Sequence, residues 1–193
     1  MQRHCLVTVG ATVGFQALIE AVLEPSFWRF LCAEAFTALH IQAGPDAGWA
    51  AARVASLREE MPAGFDVDVF EITADLMRHQ MLRCKKNGLV ISHAGTGTIL
   101  DAWRVSAPLI VVPNPELLDD HQTELARHLA EEGYATMAQP RVDDLQGAVL
   151  KAALLRNEPR FSSRSNPVNA SLGLWNIRPV DVAMEETSLM AHD

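Results

Sequence analysis

The sequence predicts an α/β fold, a single Rossmann-like domain built on a parallel sheet. Short apolar runs of strand length alternate with longer stretches of helical period, the pattern of repeated βαβ units. "APLIVVP" (107–113) is apolar almost throughout, as a strand covered on both faces must be. Two glycine-bearing loops, "GAT" (10–12) and "HAGTGT" (93–98), fall where such runs end and helices begin.

The first strand is assigned to "HCLVTVG" (4–10) and the first helix to "FQALIEAVL" (15–23). "ALHIQAG" (38–44) is the second strand, and "WAAARVASLREE" (49–60) follows with helical period. "DVDVFEI" (66–72) alternates apolar with polar, as a half-buried strand does. "ADLMRHQMLRCKK" (74–86) is a helix closed by Asn87 and Gly88, and "GLVISH" (88–93) a buried strand. Beyond the glycine turn come the helix "TILDAWRVS" (98–106), the strand 107–113 and a helix from Asp119 to Gly133. That last helix has an acidic start and Leu125, Ala126 and Leu129 on one face. "YATMA" (134–138) is a short final strand, and "VDDLQGAVLKAALL" (142–155) a final helix.

Residues 1–156 thus make up the domain, and 157–193 a C-terminal tail of different composition, extended or partly ordered. The tail holds three prolines and five serines, which argue against a packed core, yet also Leu172, Leu174, Trp175 and Ile177. It is either a segment that docks on another surface or a disordered terminus with incidental hydrophobes.

A chain of 193 residues, 49% hydrophobic and 21% charged, has room for one core. Its net charge of −8 offers no basic face for nucleic acid. Cys5, Cys32 and Cys84 form no Cys-x-x-Cys pair, so neither a disulfide framework nor a zinc site is expected, and a reducing cytosolic setting fits. Neither a signal peptide nor a membrane span is expected, and the sequon at Asn169 would matter only in a secreted protein.

In an open parallel sheet, ligands bind at the carboxyl ends of the strands. At "SHAGTGT" the glycines let the backbone approach a ligand, and the N–H groups opening the next helix, with the Thr96 and Thr98 hydroxyls, suit a diphosphate. A nicotinamide G-x-G-x-x-G fails because Leu100 stands where its third glycine belongs, and a P-loop fails for want of Gly-Lys-Ser/Thr. A plain turn requiring positive φ is the competing reading of the loop taken alone. Asn114, just past the strongest strand, is a donor-site candidate or part of a turn between Pro113 and Pro115. His4, His40, His79 and His128 are expected to be surface or packing residues.

The stretch "ISHAGTGTILDAWRVSAPLIVVPNPELLDDHQTELARHLAEEGYA", with "VTVGAT" (7–12) and "IQAG" (41–44), resembles the C-terminal, donor-binding half of GT-B glycosyltransferases. It is most similar to the cytosolic catalytic subunits of the eukaryotic two-chain UDP-GlcNAc transferases, and more distantly to the bacterial transferase that makes lipid II. The likeness spans most of residues 5–140, and its specificity lies in His-Ala-Gly-x-Gly-Thr followed some 25 residues later by Asp120-His121-Gln122.

Carried over where residues match, the resemblance places His93, Gly95, Thr96, Gly97 and Thr98 around the UDP diphosphate. Asp101 stands where the family usually has a Glu for the ribose hydroxyls, and its shorter carboxylate requires a small shift of ribose or helix. From the residues alone it is equally a first-turn acid favoured by the helix dipole. Gln122, with His121 before it, matches the position that reads the sugar hydroxyls, whereas without the family both would be an ordinary exposed helical turn. Gly10, Ala11 and Thr12 match the first loop, facing sugar and phosphate from the opposite side.

The resemblance further implies β-1,4 transfer of GlcNAc, with inversion, from UDP-GlcNAc to dolichyl-pyrophosphate-GlcNAc. A membrane-anchored partner would supply the acceptor half and hold the chain at the cytosolic face of the endoplasmic reticulum. No metal or other cofactor is expected, since "DVD" (66–68) has the letters of an Asp-x-Asp motif but lies in a strand. His93 is the catalytic candidate within the chain, as base, as stabiliser of phosphate charge or as a loop hydrogen-bond group. In related two-domain enzymes the candidate base lies on the acceptor half, here the partner. Two rivals are a non-catalytic nucleotide-sugar-binding subunit and a soluble UDP-sugar epimerase-like enzyme.

Overall fold

Among the described residues, six strands form one all-parallel sheet in the order β3-β2-β1-β4-β5-β6: β1 His4–Thr8, β2 Ala38–Gln42, β3 Asp66–Phe70, β4 Leu89–Ser92, β5 Leu109–Val111 and β6 Thr136–Met137. Among the described residues, seven α-helices accompany them, the last following β6: α1 Gln16–Leu23, α2 Pro25–Ala33, α3 Ala47–Ser56, α4 Ala74–Arg83, α5 Thr96–Arg104, α6 His121–Glu131 and α7 Val142–Arg156. The computed structural model describes residues 2–71, 74–85, 87–115 and 121–156, so the proposed docking role of the tail lies outside the described residues, as do Asp119 and Asp120. The chain runs outward from β1 to β3, then crosses back to β4 beside β1 and continues to β6. The direction of winding therefore reverses between β1 and β4, the position where open α/β sheets leave a crevice.

The apolar runs become strands because both faces of the sheet are covered. Cys5 and Val7 of β1 pack with Leu39 and Ile41 of β2 against residues of α1, α2, α3 and α7. Leu6 faces the other layer with Val90, Leu109 and Val111, beneath Met81 and Cys84, Ile99 and Ala102, and Ala126 and Leu129. Strand β3 lies at the sheet's edge, and Asp66 and Asp68 are exposed, as its alternation predicts.

The strands are shorter than the apolar runs. β1 and β2 end at Thr8 and Gln42, just ahead of turns at Gly10 and at Ala43, and Gly44–Asp46 forms a 3-10 turn before α3. Similarly, α3 ends at Ser56 and Arg58–Glu60 continues as a second 3-10 turn. Helix α2 is absent from the sequence reading. Its origin is steric: Glu24 before Pro25 takes the extended conformation (ψ 128°), which ends α1, and the proline then starts a new helix. Phe27, Trp28 and Leu31 of α2 are fully buried, and the Trp28 indole N–H donates to the Val22 carbonyl at 2.9 Å.

His4 and His40 are packing residues. Their rings stack with centroids 5.2 Å apart, and His4 Nδ1 meets His40 Nε2 at 2.9 Å, a contact that requires one nitrogen to donate and the other to accept. Burial, then the neighbouring Arg83, holds His4 below the ordinary 6.5; burial, His4 and Arg83 lower His40, against a weaker opposing pull from Asp68. His79 and His128 are exposed. Because the unfolded chain binds more protons below pH 6.5, stability is complete above that pH and is lost as pH falls through the depressed folded values. Urea midpoints should therefore fall from pH 7.5 to 5.5, and fall less steeply in His40→Gln.

Candidate functional site

At the switch point, the loops after β1 and β4 meet across the ring of His93. Nδ1 lies 3.1 Å from the Thr8 carbonyl oxygen, which can only accept, so Nδ1 carries the proton. Burial lowers the His93 pKa from 6.5 despite this bond, so the imidazole is neutral at physiological pH. A Cβ on Gly10 would stand 2.9 Å from Nε2, and one on Gly95 2.5 Å from it, so only glycine at both positions accommodates the ring. Gly10 also has φ +92°, and Ala94 φ +66°, marking the sharp turn from β4 into α5.

The first loop is held from β2. Gln42, 1% exposed, accepts from Val9 N–H (3.2 Å) and Gly10 N–H (3.1 Å), and its Nε2 donates to the Gly10 carbonyl at 2.8 Å. Gly44 lies so close that a Cβ there would collide with the same carbonyl. Losing a buried partner of this kind costs roughly 1–3 kcal/mol. Ala11 and Thr12, beyond the anchor, are exposed.

Two helices begin at this edge, and they differ. Beside the start of α1 lies a carboxylate: Asp46 Oδ2 accepts from Phe15 N–H at 2.9 Å and Oδ1 from Gln16 Nε2 at 3.2 Å, packed where a Gly14 Cβ would be. Helix α5 starts at Thr96, with Gly95 as N-cap and no side-chain cap. Its first intrahelical bond runs from Ile99 N–H to the Gly95 carbonyl, so the N–H groups of Thr96, Gly97 and Thr98 have no carbonyl a turn earlier. Thr96 and Gly97 are exposed, and Thr98 Oγ1 lies 3.5 Å from Thr8 Oγ1. Free amides at the positive end of a helix, beside a neutral imidazole, suit a diphosphate.

The other candidates lie on α5, in the loop after β5 and at the start of α6. Asp101 is exposed on α5 and pairs with Arg104 at 2.8 Å. Gln122, in the first turn of α6, accepts through Oε1 from Asn114 N–H at 3.3 Å, and Asn114 Nδ2 donates to the Gly14 carbonyl at 3.2 Å. His121 is 86% exposed and 4.0 Å from Glu124, a contact too open to matter energetically. The structure thus brings His93, Gly10 and Gly95 together and links Asn114 with Gln122. The sequence reading does not assign Gln42 and Asp46. A glutamine inside an apolar strand signals a buried amide in need of partners, whereas Asp46 sits at the N-cap of α3 but spends its carboxylate on α1.

Fold and site together define a doubly wound α/β domain of the Rossmann-like class, with an uncapped helix start at its switch point. The glycosyltransferase family 28 C-terminal domain matches residues 4–170, and the chain belongs to that family. The UDP-N-acetylglucosamine transferase subunit ALG13 of Eremothecium gossypii is 36% identical over 165 residues, covering 78% of this chain and 81% of its own. The solution structure of ALG13 superposes with TM-score 0.61 at 30% identity, covering 79% of this chain and 85% of that one. The crystal structure of Acinetobacter baumannii MurG shares the fold (TM-score 0.60, 21% identity), covering 86% of this chain and 46% of MurG.

The glycines should separate by substitution. Gly10→Ala and Gly95→Ala must displace the His93 ring, and the first also carries strain on the order of 1–3 kcal/mol at positive φ. Both are expected to lower the thermal midpoint by several degrees. Nothing lies within 4 Å of a Gly97 Cβ, so Gly97→Ala should leave the midpoint unchanged or raised.

Proposed function

We propose that the chain is the donor-binding, catalytic subunit of a UDP-GlcNAc transferase, acting with a membrane-anchored partner at the cytosolic face of the endoplasmic reticulum. The observation that carries this reading is the uncapped α5 start beside His93, in a chain whose relatives are named UDP-N-acetylglucosamine transferase subunits. Among the described residues, no helix is long and apolar enough to cross a membrane.

The proposed donor lies with its diphosphate on the α5 amides and the Thr96 and Thr98 hydroxyls, its ribose towards Asp101, and its sugar between Gln122 and the Gly10–Thr12 loop. A hydroxyl of dolichyl-pyrophosphate-GlcNAc, its 4-hydroxyl for a β-1,4 product, attacks the anomeric carbon in line. The bond from that carbon to the diphosphate breaks with inversion, and UDP leaves. The fixed amides of α5 are positioned for the charge that grows on the leaving diphosphate, and removal of such a donor typically costs 10²–10³ in rate. In this reading no metal is needed for that charge. Among the described residues, no three His, Cys, Asp or Glu side chains group to hold one.

The acceptor's proton requires a base. His93 Nδ1 is committed to Thr8, and Nε2 faces the two glycines, so the ring serves as a neutral wedge and polar wall. We assign the base to the partner.

Transfer from radiolabelled UDP-GlcNAc, with the chain reconstituted on its membrane partner, tests the reading. His93→Ala and Gln122→Ala should each lower turnover at least tenfold, about 1.4 kcal/mol, and unchanged turnover in both would sink the assignment. EDTA should leave the wild-type rate intact. Gly97→Ala, stable by the argument above, should still weaken UDP binding because its methyl group enters the diphosphate's space.

A further inference from the structure

Asn114 lies 6% exposed just past the end of β5. Pro113 and Pro115 lack N–H groups, so Asn114 carries the one backbone donor of that tripeptide, and the following proline restricts Asn114 to extended backbone. That donor is spent on Gln122 Oε1 at 3.3 Å, while its side chain reaches the Gly14 carbonyl, 100 residues earlier, at 3.2 Å. Gly14 in turn is packed against Asp46, which holds Phe15 and Gln16. One buried residue therefore touches both walls of the crevice.

The contact with Gln122 has a chemical polarity. A backbone N–H can bind only the oxygen of the amide, so the orientation of that amide is determined and its NH2 is the end left for a ligand. We propose that Asn114 is a positioning residue that ties the Gly14 end of the first loop to Gln122, so that the two walls of the sugar subsite are held as one piece. Gln122 then meets the sugar as a hydrogen-bond donor. This rests on the UDP-GlcNAc reading above and adds to it a residue that acts through another, and a direction for the bond.

The measurement is equilibrium binding of UDP and of UDP-GlcNAc to the full-length chain. Asn114→Asp is isosteric but loses the donor to Gly14 and sets a carboxylate against that carbonyl. Gln122→Glu keeps an acceptor for Asn114 N–H but has no N–H to give. Each should leave UDP affinity within about twofold and lower the ratio of UDP-GlcNAc to UDP affinity at least tenfold, with the double variant no worse than the weaker single. Equal loss for both ligands, no loss for either, or additive losses would overturn the positioning role. A wild-type chain that binds UDP but discriminates nothing in the sugar overturns it as well. Wild type that binds neither ligand overturns the functional reading itself. Should Asn114→Asp not fold, the Gln122 side-chain amide in the wild-type NMR spectrum decides: it should shift on addition of UDP-GlcNAc and not of UDP, and a response to UDP alone overturns the proposal.

Discussion

The site depends on the adjacency of β1 and β4. Because the winding reverses there, two loops distant in sequence are brought face to face, and the His93 ring fills the gap between Gly10 and Gly95. The ring sets the spacing of the loops, and the Thr8 carbonyl sets the angle of the ring. A charged imidazole would disturb this wedge, since it would have to be solvated in a half-buried crack. Burial keeps it neutral, and that neutrality lets it pack against two Cα atoms. The glycines are therefore a steric demand of the wedge before they are a concession to any ligand.

The same edge shows how an acidic protein makes one local place for an anion. Both α1 and α5 point their N-termini at the crevice, and each offers the equivalent of about half a positive charge. Neither start has a side-chain N-cap; at α1 the Asp46 carboxylate accepts from the Phe15 N–H and offsets part of that charge, and at α5 the N-cap is Gly95. With a net charge of −8, long-range steering cannot bring in a diphosphate. In the proposed reading, selection comes from short-range amides, which the start of α5 presents beside His93.

The sheet was legible because its inner strands β2, β1, β4 and β5 are largely apolar and buried, and runs of that kind are visible without neighbours, whereas the edge strands β3 and β6 carry a weaker signal. Strand ends were less legible, since Val9 and Ala43 are buried like the strands they follow, while the backbone turns only at Gly10 and at Ala43. Helix α2 was missed because a proline after an apolar helix marks an ending more plainly than a beginning. At the site, the glycine loop was visible as composition. Gln42 and Asp46 were not, because their roles arise from the register of β2 beside β1, and register is a relation between strands that no single stretch of sequence displays.

Asp101 remains the candidate whose place has to be decided by magnitude. It is engaged with Arg104 at 2.8 Å, which could count against a role with ribose. Both side chains are more than half exposed, however, and an exposed pair three residues apart on a helix is worth at most about 1 kcal/mol, less in salt. Two hydrogen bonds from ribose hydroxyls to a carboxylate are each worth roughly 1.5–3 kcal/mol. In the proposed reading the exchange therefore favours the ligand, and the exposed pair with Arg104 is no obstacle to a ribose at Asp101.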